Sequence, residues 1–138
     1  MKIYIASRFT DRRRLRPIAD KIFSMGHDCI SSWLQESSKT PYMDRSTYWT
    51  KLARKDIEEI FSCDLLIRDV HTISKTGGAD TEWGIALARH QNCLLWLVGK
   101  PRNVFHYLAD KTFTNWDQAL KELKKIGPKL KTIQPKEL

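Results

Sequence analysis

The chain alternates short apolar runs with segments of helical period, and this alternation constrains the fold more than any other feature. Lys2–Ala6, residues 28–32, 64–70 and 93–98, and a weak stretch near Thr112-Phe113 read as strands. Between them lie helical patterns over 11–25, 46–62, 80–90 and Trp116–Ile126. Strand and helix in strict alternation predict a parallel sheet with helices on both faces. The Leu65-Leu66-Ile67 run is typical of a strand covered on both sides. The expected fold class is α/β, an open parallel sheet of about five strands with helices on both faces.

A length of 138 residues suits one such domain. It is expected over residues 1–126, with a basic tail over 127–138. Within the first helix, Pro17 predicts a late start or a kink, and Gly26 closes the pattern. Asn115 or Thr114 is placed to cap the last helix. Residues 34–45 have no period and form the longest irregular stretch, and long loops in compact domains are often lids or binding loops. No apolar run approaches the roughly 20 residues that span a bilayer. The opening residues are met too soon by charge to form a secretory signal. Cys29, Cys63 and Cys93 are odd in number, widely spaced and set among apolar residues, which points to buried thiols in a reducing compartment, the cytoplasm. The histidines lack metal-ligand spacing, so neither a metal nor a cofactor is expected.

The net charge of +8 admits anionic partners. It gathers in Arg8, Arg12, Arg13, Arg14 and Arg16 after the first strand and again in the tail. No standard nucleic-acid motif accompanies it. In open parallel sheets ligands bind beyond the carboxyl ends of the strands. The loops after strands one, three and four, which hold Ser7-Arg8, residues 69–78 and residues 99–107, are therefore the expected functional loops.

Two carboxylates stand out. Positions 48, 49, 52, 53, 56, 57, 60 and 61 form one face of the second helix. Every residue there is apolar or aromatic except Asp56. A carboxylate on an apolar stripe loses hydration and needs compensation. It either bonds within the core or lines a site, and position alone leaves both open. Glu82 follows Gly77-Gly78, with Asp80 or Thr81 read as the helix cap. That places Glu82 in a first turn, where free amides and the dipole favour an ionised carboxylate. Acidic residues are common there, so position alone favours the ordinary reading. Trp33, Tyr48 and Trp49 are candidates for core or for base stacking, with Trp33 the better placed at a loop edge.

Four segments combine into a family pattern: Ile3-Tyr4-Ile5-Ala6-Ser7, Ala53-Arg54-Lys55-Asp56-Ile57, Cys63-Asp64-Leu65-Leu66-Ile67, and the stretch from Gly78 through Glu82-Trp83-Gly84 to Ala88. Together they resemble the nucleoside 2-deoxyribosyltransferase superfamily, which includes 2'-deoxynucleoside 5'-monophosphate N-glycosidases. The similarity spans about residues 1–120. The segment Asn103-Val104-Phe105-His106 resembles small members of the group that open on similar residues. The resemblance implies a flavodoxin-like sheet, and an enzyme that cleaves or exchanges an N-glycosidic bond and assembles as a dimer or larger homo-oligomer. It implies Glu82 as nucleophile, Asp56 as the carboxylate that assists the departing base, and Tyr4 as the residue that orients the nucleophile.

The chain departs from the pattern after strand one, where family members often carry Gly-Pro and this sequence has Ser7-Arg8, a hydroxyl and a cation suited to phosphate. Six positions before the nucleophile, nucleotide-using members tend to carry a hydroxyl residue and nucleoside-using members a carboxylate. Thr76 favours a 5'-monophosphate. Gly77 and Gly78 permit close backbone approach to a ligand, and Asp69 and His71, at the mouth of strand three, either touch the sugar or cap the loop. A nucleotide-binding or sensing module with little turnover is the alternative function.

Overall fold

The computed structural model describes residues 1–37, 44–73, 75–89 and 92–127. Five parallel strands form one sheet: β1 (Lys2–Ala6), β2 (Asp28–Cys29), β3 (Leu65–Asp69), β4 (Leu94–Val98) and β5 (Lys111–Phe113), in the order β2-β1-β3-β4-β5. This is the flavodoxin-like order. Ile3 lies opposite Leu65 across β1 and β3, and Ile67 lies opposite Trp96 across β3 and β4. Four helices flank the sheet: α1 (Arg12–Ser24), α2 (Arg45–Ser62), α3 (Gly78–Ala88) and α4 (Trp116–Ile126). No helix among the described residues is long and apolar enough to cross a membrane.

Strand alternation assigns the helices to two faces. Arg68 and Asp69 are consecutive and fully buried in β3. Arg68 reaches Asp80 on α3, whereas Asp69 accepts from Arg14 on α1 and from Trp116 on α4. Packing follows the same division, α1 against α4 and α2 against α3.

Local chemistry sets the element ends. Asp44 caps α2 through the Thr47 amide at 3.0 Å, and Asn115 caps α4 through the Gln118 amide at 3.0 Å. The helix α1 starts at Arg12, behind a single 3-10 turn over Phe9–Asp11, and runs through Pro17. Three expectations change. The second strand ends at Cys29 rather than near residue 32, because the Ser31 hydroxyl accepts the Ile5 amide at 2.6 Å. A side chain thereby takes the place of the next ladder bond, and the chain turns into a 3-10 helix over Ser32–Gln35. The third helix begins at Gly78, two residues before the expected start. Its N-cap is Gly77, at φ 75°, and no side chain caps it. Residues 38–43 of the irregular stretch over 34–45, the end of the third helical pattern near His90, and the tail from 128 onward lie outside the described residues.

Gly99 ends β4 at φ 113°, where a Cβ would stand 2.7 Å from Val70 Cγ2 at the end of β3. Its amide donates to Phe113 O at 2.8 Å, so the backbone is held from the β5 side too. Gly99→Ala is expected to lower stability by about 1–3 kcal/mol, seen as a lower denaturant midpoint at unchanged slope.

Candidate active site

The order β2-β1-β3 makes β1 and β3 the switch point, where connections leave toward opposite faces. A cleft of about 630 Å³ opens beyond the carboxyl end of β1, on the α2/α3 side. Ser7 and Arg8 line it from the end of β1, Trp33 and Glu36 from the chain after β2, Asp56 from α2, and Thr76, Gly78 and Glu82 from α3 and its lead-in.

At its floor the Tyr4 hydroxyl donates to Glu82 Oε2. Tyr4 is fully buried in β1. Burial, then the Glu82 and Asp56 charges, pushes its pKa well above the usual phenol range, so it remains a proton donor. Burial also dominates at Glu82 and lifts its carboxyl to about 8, with the Tyr4 bond opposing the rise and Asp56 adding to it. Asp56 is lifted to about 7 by burial and by the neighbouring Glu36 and Glu59, against the pull of Lys55. Its Oδ1 is buried and has no hydrogen-bond partner among the described residues. An orphaned buried carboxylate oxygen facing a cleft is one that a ligand donor would satisfy.

The earlier start of α3 changes the account of Glu82. Glu82 stands in the second turn, past the free amides, and Thr81 already donates its amide to Gly77 O at 3.0 Å. Asp80 is the acidic residue of the first turn. The Glu82 carboxyl is therefore governed by desolvation and Tyr4 rather than by the helix terminus.

The remaining sequence-predicted residues divide. Arg8 is exposed along the cleft, 3.6 Å from Asp11. Ser7 lines the cleft, but its hydroxyl donates to Asp11 at 2.9 Å. Trp33 forms a wall, buried and fixed by its indole donating to Ile5 O at 2.8 Å. Thr76 and Gly78 line the opening, while Gly77 makes the turn behind them. Asp69 is not among the lining residues. It is fully buried and accepts from Arg14 at 2.8 Å, Trp116 Nε1 at 2.6 Å and the His71 amide at 2.9 Å. These bonds hold its carboxyl below the usual range despite burial, and the bond from the His71 amide closes the loop at the end of β3. The arginines of α1 also turn inward: Arg12 donates to Glu36 O at 3.0 Å and Arg16 to Leu34 O at 2.6 Å.

Sequence reasoning missed Glu36 and Glu59. Glu36 lines the cleft and meets Lys55 at 3.2 Å. Glu59 accepts from the Ser32 hydroxyl at 2.9 Å and burdens Asp56 with its charge. The chain after β2 also reaches the cleft, through Trp33, Glu36 and Ser37, as the carboxyl-end rule requires of β2 no less than of β1. The loop after β4 does not line the cleft and instead packs behind α3. Among the described residues, no group of three or more His, Cys, Asp or Glu side chains could hold a metal ion.

No protein-family model matches the sequence, and no curated protein matches it. Solved structures do match in fold. A 2-deoxyribosyltransferase from the psychrotolerant bacterium Bacillus psychrosaccharolyticus superposes with TM-score 0.70 at 17% identity, over 99% of this chain and 100% of that one. Clostridium botulinum CMP N-glycosidase BcmB gives TM-score 0.58 at 16% identity, over 91% and 99%. A conserved protein from Enterococcus faecalis V583 gives 0.63 at 15% identity, over 91% and 98%. The chain thus shares the open-sheet fold of these proteins along nearly its whole length.

The Asp56 carboxyl rises from 3.8 in the unfolded chain to about 7 in the folded one. A raised acid is a stabilising asset only while protonated, and that contribution is lost as pH climbs from about 4 to about 7. Asp56→Asn removes the loss. The variant is expected to melt above the parent at pH 8, by on the order of 1 kcal/mol, and to match it near pH 4, as read by thermal melts across pH.

Proposed function

We propose that the protein is a member of the nucleoside 2-deoxyribosyltransferase-like superfamily that cleaves, or transfers the sugar across, the N-glycosidic bond of a (deoxy)nucleoside 5'-monophosphate or nucleoside through a covalent glycosyl–Glu82 intermediate. The observation that carries this reading is the triad at the cleft floor: Glu82 held by the Tyr4 hydroxyl, with the orphaned Asp56 oxygen in the same cleft. The shared fold with a 2-deoxyribosyltransferase and a CMP N-glycosidase supports it.

Departure of a base places positive charge on the sugar ring. In the productive one-proton form of the pair the proton sits on Asp56, and the ionised Glu82 stabilises that charge and forms a bond to the anomeric carbon as the carbon–nitrogen bond breaks. The base leaves with a proton or hydrogen bond from Asp56, whose raised pKa keeps a proton available near neutral pH. Water then releases the sugar from Glu82, or a second base accepts it. Arg8, Thr76 and Gly78 at the start of α3 form the pole suited to a 5'-phosphate.

Glu82→Gln keeps an acceptor for Tyr4, so the fold survives. Base release from nucleosides and 5'-monophosphates, followed by chromatography, is expected to fall by about 10³-fold or more. Ligand-induced thermal stabilisation of the parent with no base released would instead support a binding module.

Glu82 and Asp56 share a site and titrate as a pair near 8 and 7. Below that range both are protonated and Glu82 cannot attack. Above it both are ionised and no proton is left for the base. The profile of kcat/KM is expected to be bell-shaped with its maximum between about pH 7 and 8. A maximum near pH 5 would sink the assignment of this pair.

A further inference from the structure

His106 is fully buried in the 3-10 helix Val104–Leu108, a segment that does not line the cleft. Its Nδ1 lies 3.0 Å from the Arg102 amide nitrogen. A backbone N–H can only donate, so Nδ1 is the acceptor and the ring hydrogen sits on Nε2. Nε2 lies 2.8 Å from Asp80 Oδ1 and donates to it. Asp80 Oδ1 also accepts from Nε of buried Arg68 at 3.0 Å, so one oxygen joins β3, α3 and the 3-10 helix. A second tie runs from Trp83 Nε1 to Phe105 O at 3.1 Å, and the Trp83 and His106 rings meet edge to face at 5.7 Å.

Glu82 lies between these two tied residues in sequence, on the helix side that meets Tyr4. The helix α3 begins on a glycine with no side-chain cap. Its first turn is held instead through Asp80, by Arg68 from β3 and by His106 from the 3-10 helix.

We infer that His106 is a positioning residue, which acts through Asp80, with the neighbouring Trp83 tie, to hold the first two turns of α3 so that Glu82 meets the Tyr4 hydroxyl. This rests on the reading of Glu82 as nucleophile for its kinetic consequence, but not for its structural one. The groups facing Glu82 are Tyr4 from β1, Asp56 and Glu59 from α2, and Arg68 from β3. Of these, the Tyr4 bond holds the Glu82 carboxyl down, so loosening that contact raises its titration midpoint. Removing the imidazole leaves the Arg68–Asp80 pair in place, and the field of Arg68 with it.

Two substitutions separate position from packing. A glutamine amide nitrogen reaches about where Nε2 stands, so His106→Gln retains a donor for Asp80. An asparagine amide reaches only about as far as Nδ1, so His106→Asn does not. The Glu82 carboxyl midpoint is followed by carbon NMR of glutamate-labelled protein without substrate, and base release gives kcat and KM. His106→Asn is expected to shift the midpoint upward and to lower kcat by about 10- to 100-fold with KM within about twofold. His106→Gln is expected to restore both. A folded His106→Asn protein with an unchanged midpoint overturns the inference, as does a His106→Gln protein as defective as His106→Asn. Should His106→Asn fail to fold, Trp83→Phe removes the Nε1 donor together with part of a buried ring, and the same upward shift in the folded variant, or its absence, decides. If the parent releases no base from any nucleoside or nucleotide, the proposed function fails while the midpoint still decides the positioning.

Discussion

A parallel strand at the centre of a sheet that ends in two charged residues must find partners for both, because neither can reach water. That constraint falls on Arg68 and Asp69 of β3. Their side chains leave on opposite faces. Asp69 gathers Arg14 of α1 and Trp116 of α4, and Arg68 engages Asp80 of α3. Two adjacent residues thus tie helices on both sides of the sheet to its centre. Breaking either partnership strands a buried charge, at a cost of about 3–5 kcal/mol. Asp11 extends the arrangement on the α1 side, where it takes Ser7, Arg14 and Thr72 and so fixes the loop that follows β1.

The candidate site depends on the same burial that makes Arg68 and Asp69 need partners, with the opposite outcome. Asp69 is surrounded by donors and stays readily ionised. Asp56 and Glu82 are deprived of water without receiving enough donors, and their carboxyls rise toward neutrality. Perturbation by desolvation and by like charge, in a cleft at a topological switch point, makes these two carboxylates the candidates for a functional site. The difference between the two kinds of carboxylate lies in the count of donors, not in depth.

How much of this was legible in the sequence follows from the range of the interactions. The strand β1 and the helix α4 read at their observed limits because their signals are local: an unbroken apolar run in one, helical period behind an Asn cap in the other. Asp56 was legible because it interrupts an apolar stripe. The end of β2 was not, because a single Ser31 hydroxyl ends the ladder by bonding across to β1. The start of α3 was misread because Asp80 resembles a cap. Its partners are Arg68 and His106, twelve and twenty-six positions away. Asp69 read as a site residue because the end of a strand is where site residues sit, and only α1 and α4 together reveal that it is saturated. Glu36 and Glu59 carried no signal, since glutamates at a loop edge or on a helix are ordinary until the fold turns them toward one cleft.

The distribution of charge around the cleft bears on the orientation of whatever enters it. Although the chain is strongly basic, the arginines of α1 are largely engaged with backbone carbonyls and with Asp11 and Asp69. On the cleft itself, Arg8, Thr76 and the glycine start of α3 form one pole. Glu36 and Asp56, with Glu59 nearby, form the other. An anionic group is favoured at the first pole and repelled from the second. A base that presents N–H groups is favoured at the second, where the Asp56 oxygen lacks a donor. On the proposed reading, a nucleotide with phosphate at one end and base at the other has one electrostatically favourable direction across the cleft. The bond between sugar and base then falls between the poles, on the stretch of α3 that carries Glu82.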